Sequence, residues 1–344
     1  GYHTAMFGKW HLKSKPQGFD KWMVLPGQGL YYNPDLLTPE GKVTIEGHCT
    51  DVVTDLAVDW LKKGRDPAKP FLLMCQHKAP HRNWMPALRH LHLWENETLP
   101  EPPTLFDDWK DNASPARWQE LEIDGHMDLH FDLFYELTPQ YPGQSREGQF
   151  DRSAWRNMAR MTPTQLTAWR QHYAPHDAAL KEAGLTGKDL VRWKYQRYAK
   201  NYLRCVRGVD ESLGRLRATL KELGLDKNTV VIYSSDQGFY IGDHGWYDKR
   251  WMYEESLKMP LVVSWPGVTK PGSKVMQMVQ NLDYAETFLE MAGVDIPADM
   301  QGASLVPLLR GEQPDDWRKA IYYHYYEYPS VHMVPRHYGI RTET

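Results

Sequence analysis

Between residues 49 and 63, apolar side chains fall at Val52, Val53, Leu56, Ala57, Trp60 and Leu61, the spacing of one face of an α-helix. Pro70 closes a polar link, and 71–75 is an unbroken apolar run, the pattern of a strand buried in a parallel sheet. The same order returns on a larger scale. Tyr198, Tyr202, Cys205, Val206, Val209, Leu213, Leu216, Leu220 and Leu223 trace one face of a long helix that Gly224 is placed to end. Residues 229–234 then read as another buried strand and 260–264 as a third. Helices alternating with apolar strands predict an α/β domain, a doubly wound, mostly parallel sheet flanked by helices. In such folds ligands sit beyond the carboxyl ends of the strands.

From about 99 to 193 the pattern turns polar, rich in Pro, His, Trp and Met, with short helices such as 163–172. This stretch is expected to be an insertion, either shaping a site or embellishing the surface. From 320 onward, 321–326 and 339–342 read as strands of a small antiparallel subdomain. The expected division is therefore 1–319, an α/β domain, and 320–344, the beginning of a second. Both ends look cut: residue 1 falls inside a motif, without Met or a signal peptide, so the chain is expected to be an amino-terminally truncated piece.

Composition excludes more than it identifies. With 41% hydrophobic and 25% charged residues the chain is globular in character, and disorder or a membrane-spanning class is not indicated. A net charge of −3 without a long Lys or Arg run gives no reason to expect a nucleic-acid partner. The 14 Trp and 20 Tyr fit a large core with aromatic rims, some of which could stack on sugars. Cys49, Cys75 and Cys205 lie far apart without metal spacing. Cys75 and Cys205 fall on apolar faces and read as core thiols.

Four segments could carry chemistry. Asp236-Gln237-Gly238 follows a strand, and a carboxylate beside an amide oxygen suits a hard cation, Ca²⁺ ahead of Mg²⁺, better than zinc. Gly238 would permit a tight turn behind the ligands. In Gly8-Lys9-Trp10-His11, an extended backbone would send Lys9 and His11 to one side, an ammonium to bind an oxyanion beside an imidazole to handle a proton. His77-Lys78-Ala79-Pro80-His81 leaves the strand at 71–75, and 243–250 lies in the loop after Asp236. Each alone fits an ordinary polar loop; a shared anion site explains them together.

These residues also carry a family resemblance. Residues 1–11, Gly-Tyr-His-Thr-Ala-Met-Phe-Gly-Lys-Trp-His, resemble the second signature of the formylglycine-dependent sulfatases of the alkaline-phosphatase-like superfamily. Residues 234–239 resemble their distal metal-ligand motif, continued through 242–250 and 252–256, and 339–342 resemble the segment opening the family's small second domain. The resemblance implies that Asp236 and Gln237 ligate Ca²⁺, with Gln237 standing where many relatives have Asn or His. It implies that Lys9 contacts sulfate and formylglycine, that His11 orients or deprotonates the formylglycine hydrate, and that His81 and Lys249 hold sulfate oxygens, His81 near the leaving group. Arg82, Asn83, Trp84, His244, Trp246 and Arg250 neighbour these positions and are candidate substrate contacts. No cysteine here has the Cys-x-Pro-Ser-Arg sequel from which the formylglycine arises, and the paired first-strand aspartates are missing too. Both are expected upstream, so the chain as it stands is expected to be inactive.

Residues 18–20, 25–34 and the Asp-Gln-Gly version of the metal motif are similar to bacterial N-acetylglucosamine-6-sulfatases and mucin-desulfating sulfatases. The resemblance thus implies sulfate-ester hydrolysis on glycans, a formylglycine-generating or maturase partner, and export to the periplasm, cell surface or medium. Two rival readings are a phosphatase or phosphodiesterase of the same superfamily and a catalytically dead glycan-binding homologue. Two zinc ions held by Asp and His would mark the phosphatases, and the Asp-Gln pair speaks against them.

Overall fold

A computed structural model describes residues 1–136 and 155–343, so 137–154 of the predicted insertion lie outside the described residues. The chain forms two compact units, 1–102 with 122–226, and 103–121 with 227–344.

The first unit is built on a five-stranded sheet of β1 (His3–Lys9), β2 (Lys21–Leu25), β3 (Asp35–Thr38), β4 (Gly41–Thr44) and β5 (Phe71–Gln76), in the order β4-β3-β2-β1-β5. Strands β2, β1 and β5 run parallel, while β3 and β4 add an antiparallel edge. Ala5, Met6 and Phe7 of β1, which lies between the parallel strands β2 and β5, are buried, as expected where both sheet faces are covered. Helix α1 (Cys49–Asp59) buries Val52, Val53 and Ala57, and a single π-turn, Trp60–Gly64, extends it to the end of the predicted span.

Helix α2 (Pro163–Ala183) is twice the predicted length. Thr162 and Gln165 form a capping box at its start, with Pro163 in the first turn. The helix runs through Pro175 because Leu166, Trp169, Tyr173, Asp177 and Leu180 bury a continuous face; tertiary packing overrides the local breaker. Helix α3 (Gly187–Glu222) ends as predicted. Gly224 sits at φ 68°, and the Leu225 and Gly224 amides donate to the carbonyls of Leu220 and Lys221, the two bonds of a Schellman cap.

In the second unit, β6 (Val231–Ser234) and β9 (Leu261–Ser264) form an antiparallel pair, not neighbouring members of a parallel sheet. Between them lie the short pair β7 (Tyr240–Ile241) and β8 (Tyr247–Asp248) and the one-turn α4 (Glu254–Leu257). Helices α5 (Asp283–Met291) and α6 (Val306–Leu309) follow, then β10 (Ala320–Tyr325) and β11 (His337–Thr342), the predicted antiparallel hairpin. The two units meet in the chain near 226, and residues 320–344 belong to the second of them. The hairpin packs onto the 240–251 region, with the His337 ring stacked 4.6 Å from Trp251 and the Tyr323 hydroxyl donating to the Arg250 carbonyl. Tyr240, Trp246, Trp251, Leu121 and Val334 form this unit's core.

Candidate active site

Strands β1 and β5 are parallel neighbours, so the 9–11 and 77–83 segments leave the same edge of one sheet. Their close approach depends on Gly8, which pairs with Gln76 at φ 110°; a Cβ there would lie 1.9 Å from the Gln76 carbonyl oxygen. Strand β1 stops at Lys9 and His11 takes φ 48°, so the extended alternation predicted for Lys9 and His11 does not continue past Lys9. The His11 imidazole is held below its ordinary pKa by partial burial, then by the charges of Lys9 and Lys13. A neutral ring beside two ammoniums can accept a proton.

On the adjacent segment, the His81 amide donates to Lys78 O at 2.9 Å and the Tyr31 hydroxyl to His81 O at 2.7 Å. His81 Nδ1 lies 2.7 Å from the Arg82 carbonyl, an acceptor only, so Nδ1 carries the proton and the ring is fixed in orientation. Lys78 is buried, its Nζ 4.7 Å over the Tyr31 ring and 3.3 Å from Arg82 O.

Three of the substrate contacts predicted here have partners within the protein. Trp84 has no exposed surface and packs 4.4 Å from Tyr198, centroid to centroid, so it offers no face to a sugar. Asn83 is buried and its amide donates to the Phe131 carbonyl. Arg82 grips buried Asp132 with two bonds of 2.5 and 2.9 Å and lies 4.7 Å over the Phe131 ring. That two-pronged pair ties the strand edge to the 128–132 turn.

In the second unit, Asp236 and Gln237 follow β6 directly. Asp236 is exposed, its backbone carbonyl accepts from Asn281 at 2.8 Å, and Ser235 Oγ donates to the Gln237 carbonyl at 3.0 Å. Gly238 is required for a different reason than a turn. Its amide donates to Ser256 O at 2.8 Å, and a Cβ would lie 2.1 Å from the Glu255 carbonyl oxygen of α4.

The loop that follows is organised by ion pairs. Buried Asp248 binds Lys249 Nζ at 3.2 Å through one oxygen, and Arg250 Nη1 and His332 Nε2, both at 2.9 Å, through the other. Burial alone would raise the Asp248 pKa, but Lys249 first, then His332 and Arg250, hold it well below the usual carboxylate range. His332 also donates through Nδ1 to the Glu120 carbonyl at 2.7 Å. Arg250 is thus predominantly a partner of Asp248, with a side chain 13% exposed; Lys249 keeps 19%.

His244 is held on three sides, its amide donating to Thr104 Oγ1 at 2.9 Å, its Nδ1 3.2 Å from Asp107, and its carbonyl accepting from Trp109 at 2.8 Å. Trp246, predicted as a sugar contact, has no exposed surface and belongs to the core with Tyr240 and Trp251. Asp248, His332 and Asp107, which contact Lys249, Arg250 and His244, are not among the candidates named from the sequence. Asp248 stands in the Asp-Lys-Arg run, but no local spacing points to His332, 84 residues away in sequence.

Against solved structures, the chain is 46% identical to a protein captured in complex with its substrate D-glucosamine-2-N,6-O-disulfate. The match covers 99% of this chain and 69% of that one, with a TM-score of 0.92. The chain belongs to the sulfatase family. Among curated proteins it is 46% identical to an N-acetylglucosamine-6-O-sulfatase of Bacteroides thetaiotaomicron over its full length. It is 26% identical to the human N-acetylglucosamine-6-sulfatase over 94% of its length. Residues 242–344 match the family described as N-sulphoglucosamine sulphohydrolase, C-terminal. The chain spans 61% of the Bacteroides relative and 50% of the human one. The alkaline-phosphatase-like fold expected from the motifs is thereby established, with a mixed sheet in the first unit and small antiparallel sheets toward the carboxyl end.

Proposed function

We propose that the protein hydrolyses sulfate esters on glycans, at the 6-O position of glucosamine-type sugars, and releases inorganic sulfate. The observation carrying this reading is the 46% identity to a protein whose bound substrate is a 2-N,6-O-disulfated glucosamine. The motif residues Lys9, His11, His81, Asp236, Gln237 and Lys249 support it, being of the types that bind and hydrolyse a sulfuryl group.

Asp236 and Gln237 fit a hard dication. They are consecutive oxygen donors at the carboxyl end of β6, and Asp236 is exposed. Ca²⁺, the ion this reading favours, would supply positive charge to the sulfuryl oxygens. Lys9 in the first unit and Lys249 in the second would each offer an ammonium group to a sulfate oxygen. His81, oriented by its Nδ1 bond, would donate a proton to the departing sugar alcohol, and neutral His11 would accept one. Cys49, Cys75 and Cys205 do not supply the nucleophile: burial pushes each thiol up to about 12, and none stands in a Cys-x-Pro-Ser-Arg context. The reading therefore includes a formylglycine elsewhere in the full-length protein, a maturation enzyme that makes it, and action on sulfated glycan outside the cytoplasm. Among the described residues no helix is long and apolar enough to cross a membrane.

The test is sulfate release by the full-length protein from D-glucosamine-2-N,6-O-disulfate and from 6-O-sulfated N-acetylglucosamine. Both should be substrates, and Lys249→Ala should lower kcat/KM by about 10²–10³. Release of the N-sulfate alone would overturn the 6-O assignment. Faster hydrolysis of the 6-phosphate ester would transfer the protein to the phosphatases of the superfamily.

A further inference from the structure

Outside the residues considered so far, one cluster brings together two imidazoles and a carboxylate. His172 and His176 stand four residues apart on α2, one helical turn, with ring centroids 5.2 Å apart. Glu95, from the turn at 91–96 that follows the short helix Leu88–His90, reaches both. Its Oε1 lies 2.6 Å from His176 Nε2 and its Oε2 3.5 Å from His172 Nδ1. One ligand atom from each residue falls within 4.8 Å of the other two. A tetrahedral zinc ion with bonds near 2.0–2.1 Å holds its ligand atoms about 3.3 Å apart, so small side-chain rotations suffice.

Glu95 Oε2 is buried and makes no hydrogen bond; its nearest cation, Arg204, is 3.7 Å away and spends its guanidinium on the Leu93 carbonyl and on Asn201. Lys200 Nζ points at the Glu95 backbone carbonyl, 3.3 Å away, not at the carboxylate.

We propose that Glu95, His172 and His176 form a second metal site, specific for a borderline transition-metal dication of the Zn²⁺ type, with water in the fourth position. Two imidazoles and one carboxylate are the donor set such ions prefer, whereas Ca²⁺ would demand more oxygens. None of the three residues belongs to the proposed sulfate-binding machinery. The ion would clip the 91–96 turn to α2, a structural role that does not depend on the hydrolytic reading.

The test is calorimetric titration of the full-length protein with Zn²⁺ under saturating Ca²⁺, repeated with Co²⁺ followed by visible absorption. One Zn²⁺ per chain should bind, Co²⁺ should give the intense d–d bands of a four-coordinate nitrogen and oxygen site, and Zn²⁺ should raise Tm. Half-exposed His176 can be removed without opening the core, so His176→Ala and Glu95→Gln should fold, melt like the metal-free wild type, and lose at least tenfold in Zn²⁺ affinity. Unchanged Zn²⁺ binding in both variants, or none by the wild type, overturns the site.

Discussion

One buried carboxylate, Asp248, faces the ammonium of Lys249, the guanidinium of Arg250 and the imidazole of His332. It takes φ 73°, a conformation Asn tolerates better than most residues. Asp248→Asn therefore keeps shape and backbone while removing the negative charge. Breaking a buried ion pair by neutralising one partner costs about 3–5 kcal/mol. We expect a loss of that order in urea denaturation, together with a rise in KM for the sulfate ester as Lys249 loses its anchor. A variant of wild-type stability would show that Lys249, Arg250 and His332 do not depend on Asp248. The types of residue needed to bind an anion were legible in the sequence here, but their partnerships were not. Asp107 with His244 and Asp248 with His332 are contacts over 137 and 84 residues, and no periodicity encodes them. Trp84 and Trp246 misled for a related reason. A tryptophan next to a predicted site is equally able to stack on a sugar or to fill the core, and only their burial decides between the two.

Elements defined by local chemistry were read closely, and those defined by pairing were not. The carboxyl end of α3 follows from one glycine after an apolar face, and α1 from its spacing alone. The far half of α2 stayed hidden because Pro175 is a local breaker, overruled by the buried face that Trp169 and Tyr173 present. Apolar runs announced β5, β6 and β9, but run length carries no partner or direction, so the antiparallel β6–β9 pair went unforeseen. Gly8 shows where a sequence signature and an element meet: β1 and β5 approach so closely at Gln76 that only a hydrogen fits. Gly8→Ala meets both a backbone clash and a φ that L-residues avoid. We expect soluble yield to fall sharply, with a lowered Tm in whatever folds and activity lost in proportion. A Gly8→Ala protein that melts like the wild type would show that β1 can shift away from β5.

Across the first unit, three histidines are kept neutral by burial. His48 and His77 are pushed down to about 4 and His172 to about 3, burial being the largest cause for each. An unfolded histidine titrates near 6.5, so below that pH the unfolded chain binds protons that the folded one refuses. Stability is therefore fully retained above about pH 7 and falls as pH drops from 6.5 towards 4, where the folded rings begin to protonate. At pH 5.5 each histidine should cost roughly 1.4 kcal/mol relative to pH 7.5, about 4 kcal/mol for the three, a large share of a typical folding free energy. Depressed carboxylates such as Asp248 add to acid lability only at lower pH, near and below the ordinary carboxylate range, so the two contributions separate along the pH axis. The measurement is the urea midpoint of the metal-free protein at half-unit steps from pH 7.5 to 5. His77 Nε2 lies 2.9 Å from Ser212 Oγ and 3.8 Å from Cys75 Sγ, contacts that an amide can imitate. His77→Asn should remove one titrating group and reduce the slope between pH 6.5 and 5 by about a third, whatever it does to stability at pH 7.5. An unaltered slope would mean that His77 takes up its proton without unfolding.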